Sequence, residues 1–292
     1  MKATPGSVRS EVLARYKSHI QSGQAEINQR FLEGLPPFET LHARSDLIDR
    51  FLRDLWQEMR LPDTLALIAV GGYGKGFLSP HSDIDLLLLI PTPLNPALSE
   101  QLEQLIGLLW DIGLEIGHSV RTVEDCLTEA AKDLTVQTAL VEARLLAGNK
   151  TLFTEMVTRF RNQLNPQTFF HAKRMEQTER YLRYHDTPYS LEPNCKESPG
   201  GLRDLQSILW IAQVAGYGNS WQDLHRHGFI TEAEALGLAR RETFLQRVRI
   251  HLHLHTRRRE DRILFDFQTA IAEKLGFSAT ETRLASEQLT QE

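Results

Sequence analysis

Cysteine is scarce in this chain: Cys126 and Cys195 are the two in 292 residues. They form no Cys-x-x-Cys pair, so a disulfide framework and a zinc knuckle are both unsupported, and a reducing compartment is expected. Long apolar runs are missing as well. None approaches the roughly 20 residues needed to cross a bilayer, and the opening Met1-Lys-Ala-Thr-Pro-Gly6 lacks the apolar core of a signal peptide. The expectation is a cytoplasmic protein with no membrane partner. Nor is there a surplus of positive charge. With a formal net charge of -5, no broad field draws the chain to nucleic acid or anionic lipid, which disfavours a general RNA or DNA binder.

What is present describes a globular protein. Hydrophobic residues make up 41% and charged residues 24%, and the length suffices for two domains, or one large domain with a well-buried core.

The most informative stretch is Gly71-Gly-Tyr-Gly-Lys-Gly-Phe-Leu-Ser-Pro-His-Ser-Asp-Ile-Asp85. It lies between apolar runs of strand length, 65–70 and 86–90, so two buried strands joined by a glycine-rich connection are expected. Side chains two apart on a strand point the same way, which puts Asp83 and Asp85 together and sends Ile84 to the core. Two carboxylates side by side repel each other unless a cation sits between them, and hard oxygen ligands favour magnesium or manganese. Upstream, Gly71, Gly72 and Gly74 let the backbone bring exposed N–H groups close to a phosphate. Lys75 and Ser82 are candidates for further hydrogen bonds to it.

Together these residues resemble the signature of the nucleotidyltransferase superfamily, a glycine pair at a helix start followed by Asp-x-Asp on the next strand. The resemblance implies an α+β fold of nucleotidyltransferase (polymerase-beta-like) type, with a mixed sheet flanked by helices. It also implies a third carboxylate from a later strand beside Asp-x-Asp. Glu115, in a strand expected over 113–120, is the candidate; the alternative is a solvent-facing residue on an edge strand.

The resemblance narrows with Glu115-Ile-Gly-His-Ser-Val-Arg-Thr122. With Gly72-Tyr-Gly-Lys75 and Ser79-Pro-His-Ser-Asp-Ile-Asp85, it is similar to the amino-terminal part of the bifunctional protein-PII uridylyltransferase/uridylyl-removing family. Phe77 departs from that family, which usually has an acidic or amide residue there. A second passage also matches, through Asn194, Lys196, Pro199, Gly200, Gly201, Leu202, Arg203 and Asp204. Lys196 and Arg203 are expected to face nucleotide phosphates; the alternative is that Arg203 and Asp204 pair only to fix the loop.

Elsewhere the periodicity is helical. Helices are expected over 8–35, with Val12, Leu13, Tyr16, Ile20 and Ile27 as its apolar positions, and over 41–59; Gly34 and Pro36-Pro37 close the first. Both brace the sheet and are assigned no chemistry. Pro91 to Pro96 reads as a turn, 98–110 as an amphipathic helix, 122–146 as one helix capped by Thr122, and 152–164 as another. Strand signals vanish beyond Asn165-Pro166, which divides the chain into a nucleotidyltransferase domain, 1–165, and an all-helical domain, 166–292.

In the second domain the helix over 168–184 carries Lys173, Arg174, Glu176, Glu179, Arg180 and Arg183 at three- and four-residue spacings. That pattern marks a solvated face laced with weak ion pairs; the alternative sends one or two of the cations to a triphosphate. On the helix over 231–255, His251 and His255 share a face and His253 does not, so three-fold metal ligation is not expected. Residues 266–276 and the tail after Ser278 read as helical.

By resemblance, the reaction is transfer of UMP from UTP to a tyrosine hydroxyl of the PII signalling protein. Asp83, Asp85 and Glu115 would hold two magnesium ions against the triphosphate. A non-catalytic nucleotide-binding module of the same fold and an RNA-end nucleotidyltransferase are the rivals. The family continues with hydrolase and small-molecule-sensing domains whose residues are not in this chain, so uridylyl removal and glutamine sensing are not expected of it.

Overall fold

The computed structural model describes residues 5–92, 95–184, 190–280 and 284–291, with the side chains of 5–12 and 290–291 outside that description. The apolar position expected at Val12, the middle of the Pro91–Pro96 turn and part of the tail after Ser278 thus lie outside the described residues. The chain forms two compact units, residues 1–78 with 82–163, and residues 79–81 with 164–292.

The first unit runs α1 (Pro5–Leu32), α2 (Pro37–Glu58), β1 (Ala66–Ala69), α3 (Gly71–Gly74), β2 (Ile84–Leu89), α4 (Pro96–Ile112), β3 (Ile116–Arg121), α5 (Val123–Lys132), α6 (Leu134–Val141), β4 (Arg144–Gly148) and α7 (Lys150–Gln163). Its four strands lie in the order β3-β2-β1-β4. β1 is antiparallel to both β2 and β4, whereas β2 and β3 are parallel. Parallel neighbours need a crossover, and α4 supplies it. Asn95 caps α4 by accepting from the Leu98 N–H at 2.9 Å, Pro96 occupies its first turn, and Gly113 ends it in the left-handed region at φ 92°.

Alternate strand residues enter one core. Leu67 and Ala69 of β1, with Ile84, Leu86 and Leu88 of β2, pack with Ile48, Leu52 and Leu55 of α2 and Leu102, Leu105 and Leu109 of α4. The two-residue period thereby selects which side chains meet the helices.

Two expectations are corrected. Pro37 opens α2 instead of closing the first helix, because a proline lacks only an N–H that the first helical turn leaves unpaired. The single helix expected over 122–146 is two helices and a strand. Asp133 ends α5 and caps α6, accepting from the Thr135 N–H at 2.6 Å, and residues 144–148 pair with β1.

The second unit contains α8 (Pro166–Arg183), α9 (Leu202–Val214), α10 (Trp221–Arg226), α11 (Glu232–Thr256), α12 (Phe265–Lys274) and α13 (Ala285–Gln291). One cluster joins Val248 and Leu252 of α11 to Ile271 of α12 and Leu289 of α13. Another joins Leu205 and Leu209 of α9 to Trp221 and Leu224 of α10. On α8 the charged pattern does not make an entirely solvated face: Lys173 and Arg180 are buried. Their partners come from α9 and from α8 itself. Arg180 pairs with Asp204, and the Lys173 ammonium lies 4.6 Å from the Trp210 ring centroid while also pairing with Glu176.

Candidate active site

β2 is buried along its length except at Asp85. Ile84 is 3% exposed, whereas Asp83 and Asp85 on either side of it are exposed; farther along, Leu87 and Leu89 on the Asp85 face are buried as well, so the strand is open only at its beginning. The Asp85 carboxylate is seated by what its neighbours lack. Gly117 lies opposite Asp85 on β3, and a Cβ there would stand 2.5 Å from Asp85 Oδ1. On the other side, a Cβ on Gly71, whose φ is +59°, would stand 3.4 Å from Asp85 Oδ2. The Val70 N–H, just before the turn, donates to the Asp85 carbonyl at 3.0 Å.

Glu115 is exposed and stands one residue before β3; its carbonyl accepts from the Ile84 N–H at 2.8 Å. Its backbone is therefore tied to the Asp-x-Asp segment. Among the described residues, however, no three His, Cys, Asp or Glu groups are gathered closely enough to hold a metal ion. The structure brings Asp85, Gly71 and Gly117 together, with Asp83 exposed one residue before β2 and Glu115 exposed one residue before β3. Two exposed carboxylates two residues apart, one in a glycine cradle, are a donor set that suits a hard divalent cation.

Ser82 Oγ is buried with no hydrogen-bond partner among the described residues, an unspent donor beside Asp83. Lys75 follows the Gly71–Gly74 turn, with its ammonium 5.1 Å from the centroid of the Phe77 ring. Phe77 itself meets Phe38 at a tilt and His42 edge-on, with ring centroids 5.2 and 4.7 Å away. The residue that departs from the family pattern is thus an aromatic support for the lysine.

In the second unit, Asn194 shapes the loop that carries Lys196 and Arg203. Its side-chain oxygen accepts from the Lys196 and Glu197 N–H groups at 2.9 and 2.8 Å. Burial, and then the Arg249 and Arg203 cations, push the Lys196 ammonium down to about 8. Arg203 donates to Glu197 at 3.2 Å. Asp204 accepts from Gln177 at 3.0 Å and the Gly200 N–H at 2.7 Å, besides Arg180 and Tyr181. Burial opposes ionisation of this carboxyl, but its donors hold it below the usual range. Asp204 therefore ties the loop to α8, a role that does not involve Arg203.

His251 and His253 are both buried and His255 is exposed, so His251 and His255 do not share an environment although they share a helical phase. His253 is fully buried, with Nε2 2.9 Å from Asp261 Oδ1 and Nδ1 against the Pro80 carbonyl. Arg249 donates to the same Asp261 oxygen at 2.7 Å and to Ser79 Oγ at 2.8 Å. Burial alone would raise the Asp261 carboxyl, but His253 and Arg249 hold it well below the carboxylate range.

Several of these residues escaped sequence reading. Gly117 matters only through its register opposite Asp85, and Arg144, the first residue of β4, through its ion pair with Asp49 of α2. Asp49, buried on α2, left a faint signal: Ser45, Asp49 and Arg53 recur at four-residue intervals beside the apolar face.

A mixed sheet flanked by helices, presenting two carboxylates beside a glycine turn, defines a nucleotidyltransferase domain, and residues 48–145 match the nucleotidyltransferase domain family. Use of divalent metal is general in that family. Residues 168–292 match the family described as GlnD PII-uridylyltransferase. The chain is 50% identical over 273 residues to the bifunctional uridylyltransferase/uridylyl-removing enzymes of Burkholderia mallei (strain SAVP1) and Burkholderia pseudomallei (strain 668), covering 94% of this chain and 32% of each of theirs. It belongs to the bifunctional uridylyltransferase/uridylyl-removing family, and it spans about a third of the length of the curated relatives it matches. A solved toxin–antitoxin structure with AMP-PNP aligns with 47% of this chain and 96% of its own at 17% identity, with a TM-score of 0.26. No helix among the described residues is long and apolar enough to cross a membrane.

Proposed function

We propose that this chain transfers UMP from UTP to a tyrosine hydroxyl of a PII-type signalling protein, releasing pyrophosphate, in the cytoplasm. The observation that carries the reading is Asp85, the one exposed residue of an otherwise buried strand, cradled by two glycines and flanked by Asp83. Asp83 and Asp85 would hold magnesium, with Glu115 as the third ligand after a side-chain rotation. Bound there, the metal would neutralise charge developing on the phosphoryl group and the departing pyrophosphate.

The chain's own residues supply the positioning. Gly71 and Gly72 leave room for phosphate oxygens to approach the backbone, whereas Gly74 is buried and its missing Cβ makes room for the Glu142 carbonyl instead, so it shapes the turn without meeting phosphate; Ser82 Oγ has a donor to give. Lys75 adds a cation next to the turn. Lys196 and Arg203 are the proposed phosphate contacts of the second unit; burial chiefly lowers Lys196, and a phosphate would offset the Arg249 and Arg203 cations that add to it.

The test is transfer from α-labelled UTP to a PII-type acceptor. Asp83→Asn and Asp85→Asn are each expected to abolish it while circular dichroism and the melting midpoint stay near wild type. Retained transfer in either variant rules out the metal assignment. Binding of UTP by the wild type without pyrophosphate release would instead make this a non-catalytic module.

A further inference from the structure

Arg144, the first residue of β4, directs its guanidinium to the Gly71–Gly74 turn. Its Nε donates to the Gly74 carbonyl at 3.1 Å and its Nη2 to the Tyr73 carbonyl at 3.2 Å. The same fork grips Asp49 of α2 bidentately, Nη2 to Oδ1 at 3.1 Å and Nη1 to Oδ2. Asp49 is a firm anchor: its side chain is 4% exposed, and it also accepts from the Tyr73 hydroxyl at 2.7 Å and from Arg53 at 3.2 Å. Simple neutralisation of a buried carboxylate would need no particular donor geometry. Here a planar, five-donor group is shared between that carboxylate and two carbonyls of the turn.

The turn has no slack at its Gly74 end. A Cβ there would stand 2.1 Å from the Glu142 carbonyl oxygen and 2.9 Å from that of Ala69, while at the other end a Cβ on Gly71 would be in ordinary van der Waals contact with Asp85 Oδ2, at 3.4 Å. A shift at Gly74 would therefore strain the segment leading into β4, and one at Gly71 would change the space beside the Asp85 carboxylate.

We propose that Arg144 is a positioning residue, holding the Gly71–Gly74 turn against Asp85 through the fork it shares with Asp49. Only its effect on nucleotide rests on the transfer reading above. Arg144→Lys keeps a cation near Asp49 but gives up the planar fork. Two measurements follow in the whole chain: amide hydrogen exchange without nucleotide, and KM and kcat for UTP.

The amides of Gly74, Lys75, Gly76 and Phe77, which donate to the Val70, Gly71, Tyr73 and Gly72 carbonyls, are expected to lose about tenfold in protection, while β1 and β2 keep theirs. KM for UTP should rise about tenfold, with kcat within about threefold of wild type. If the lysine variant does not fold, Asp49→Asn, which loosens the anchor and keeps its shape, should give the same pattern at about threefold.

Unchanged protection of the four amides in a folded variant overturns the proposal, as does a uniform loss across the sheet with KM unchanged. Local loosening in a protein whose wild type transfers nothing from UTP would support the positioning role and remove the transfer reading.

Discussion

At the scale of single residues, chemistry and backbone period made Asp83 and Asp85 legible, because alternation on a strand depends on nothing beyond the strand itself. Gly117 was not legible, since its importance exists only once β3 is registered against β2. Gly117→Ala is expected to leave the melting midpoint within a few degrees of wild type, because the clashing atom is a carboxylate oxygen that can swing away. The displaced Asp85 should then lower kcat/KM for UTP transfer about 100-fold. Steady-state kinetics beside a thermal melt would check both halves.

Lys196 carries a pH signature. Its pKa is lowered from the ordinary 10.5 to about 8, chiefly by burial, with Arg249 and Arg203 adding and Asp261 and Glu197 opposing. Between those values the unfolded chain holds a proton that the folded chain has lost, so stability rises with pH through that window, and below it the penalty stays constant. Relative to Lys196→Met, the wild type should gain about 1–3 kcal/mol in urea unfolding between pH 8 and 10.5.

At the scale of elements, amphipathic helices were readable, and α4 forms over the expected 98–110, extended by an Asn95 cap and a Gly113 stop that the structure adds. β4 was not, because Arg144-Leu-Leu-Ala-Gly148 carries too few residues to distinguish a strand from the end of a helix. Pairing with β1 decided it. α8 shows the opposite limit: its spacing of charges is that of a surface helix, yet Arg180 is 5% exposed because the first turn of α9 brings Asp204 to it. Arg180→Ala would leave that carboxylate without its buried counter-charge. A loss of about 3–5 kcal/mol in denaturant unfolding is expected; a loss below about 1 kcal/mol would mean that Tyr181, Gln177 and the Gly200 N–H satisfy Asp204 without it.

At the scale of the whole molecule, a ligand bound by the native chain and ignored by the unfolded one raises stability by about 2.7 kcal/mol at a hundred times its Kd. Magnesium with UTP is therefore expected to raise the melting midpoint more than magnesium with ATP, GTP or CTP. Equal shifts from all four would remove the uridine preference. The sequence by itself determined the apolar strands, the paired carboxylates, the glycine turn and the helical character of the second half, since each follows from local periodicity or local backbone freedom. Tertiary structure alone decided that Gly117 makes room for Asp85, that Arg144 reaches Asp49 and the Gly71–Gly74 turn together, and that Arg180 is buried. Those outcomes depend on which distant segments meet, and that is set by the packing of the whole core, where no single stretch of chain carries the information.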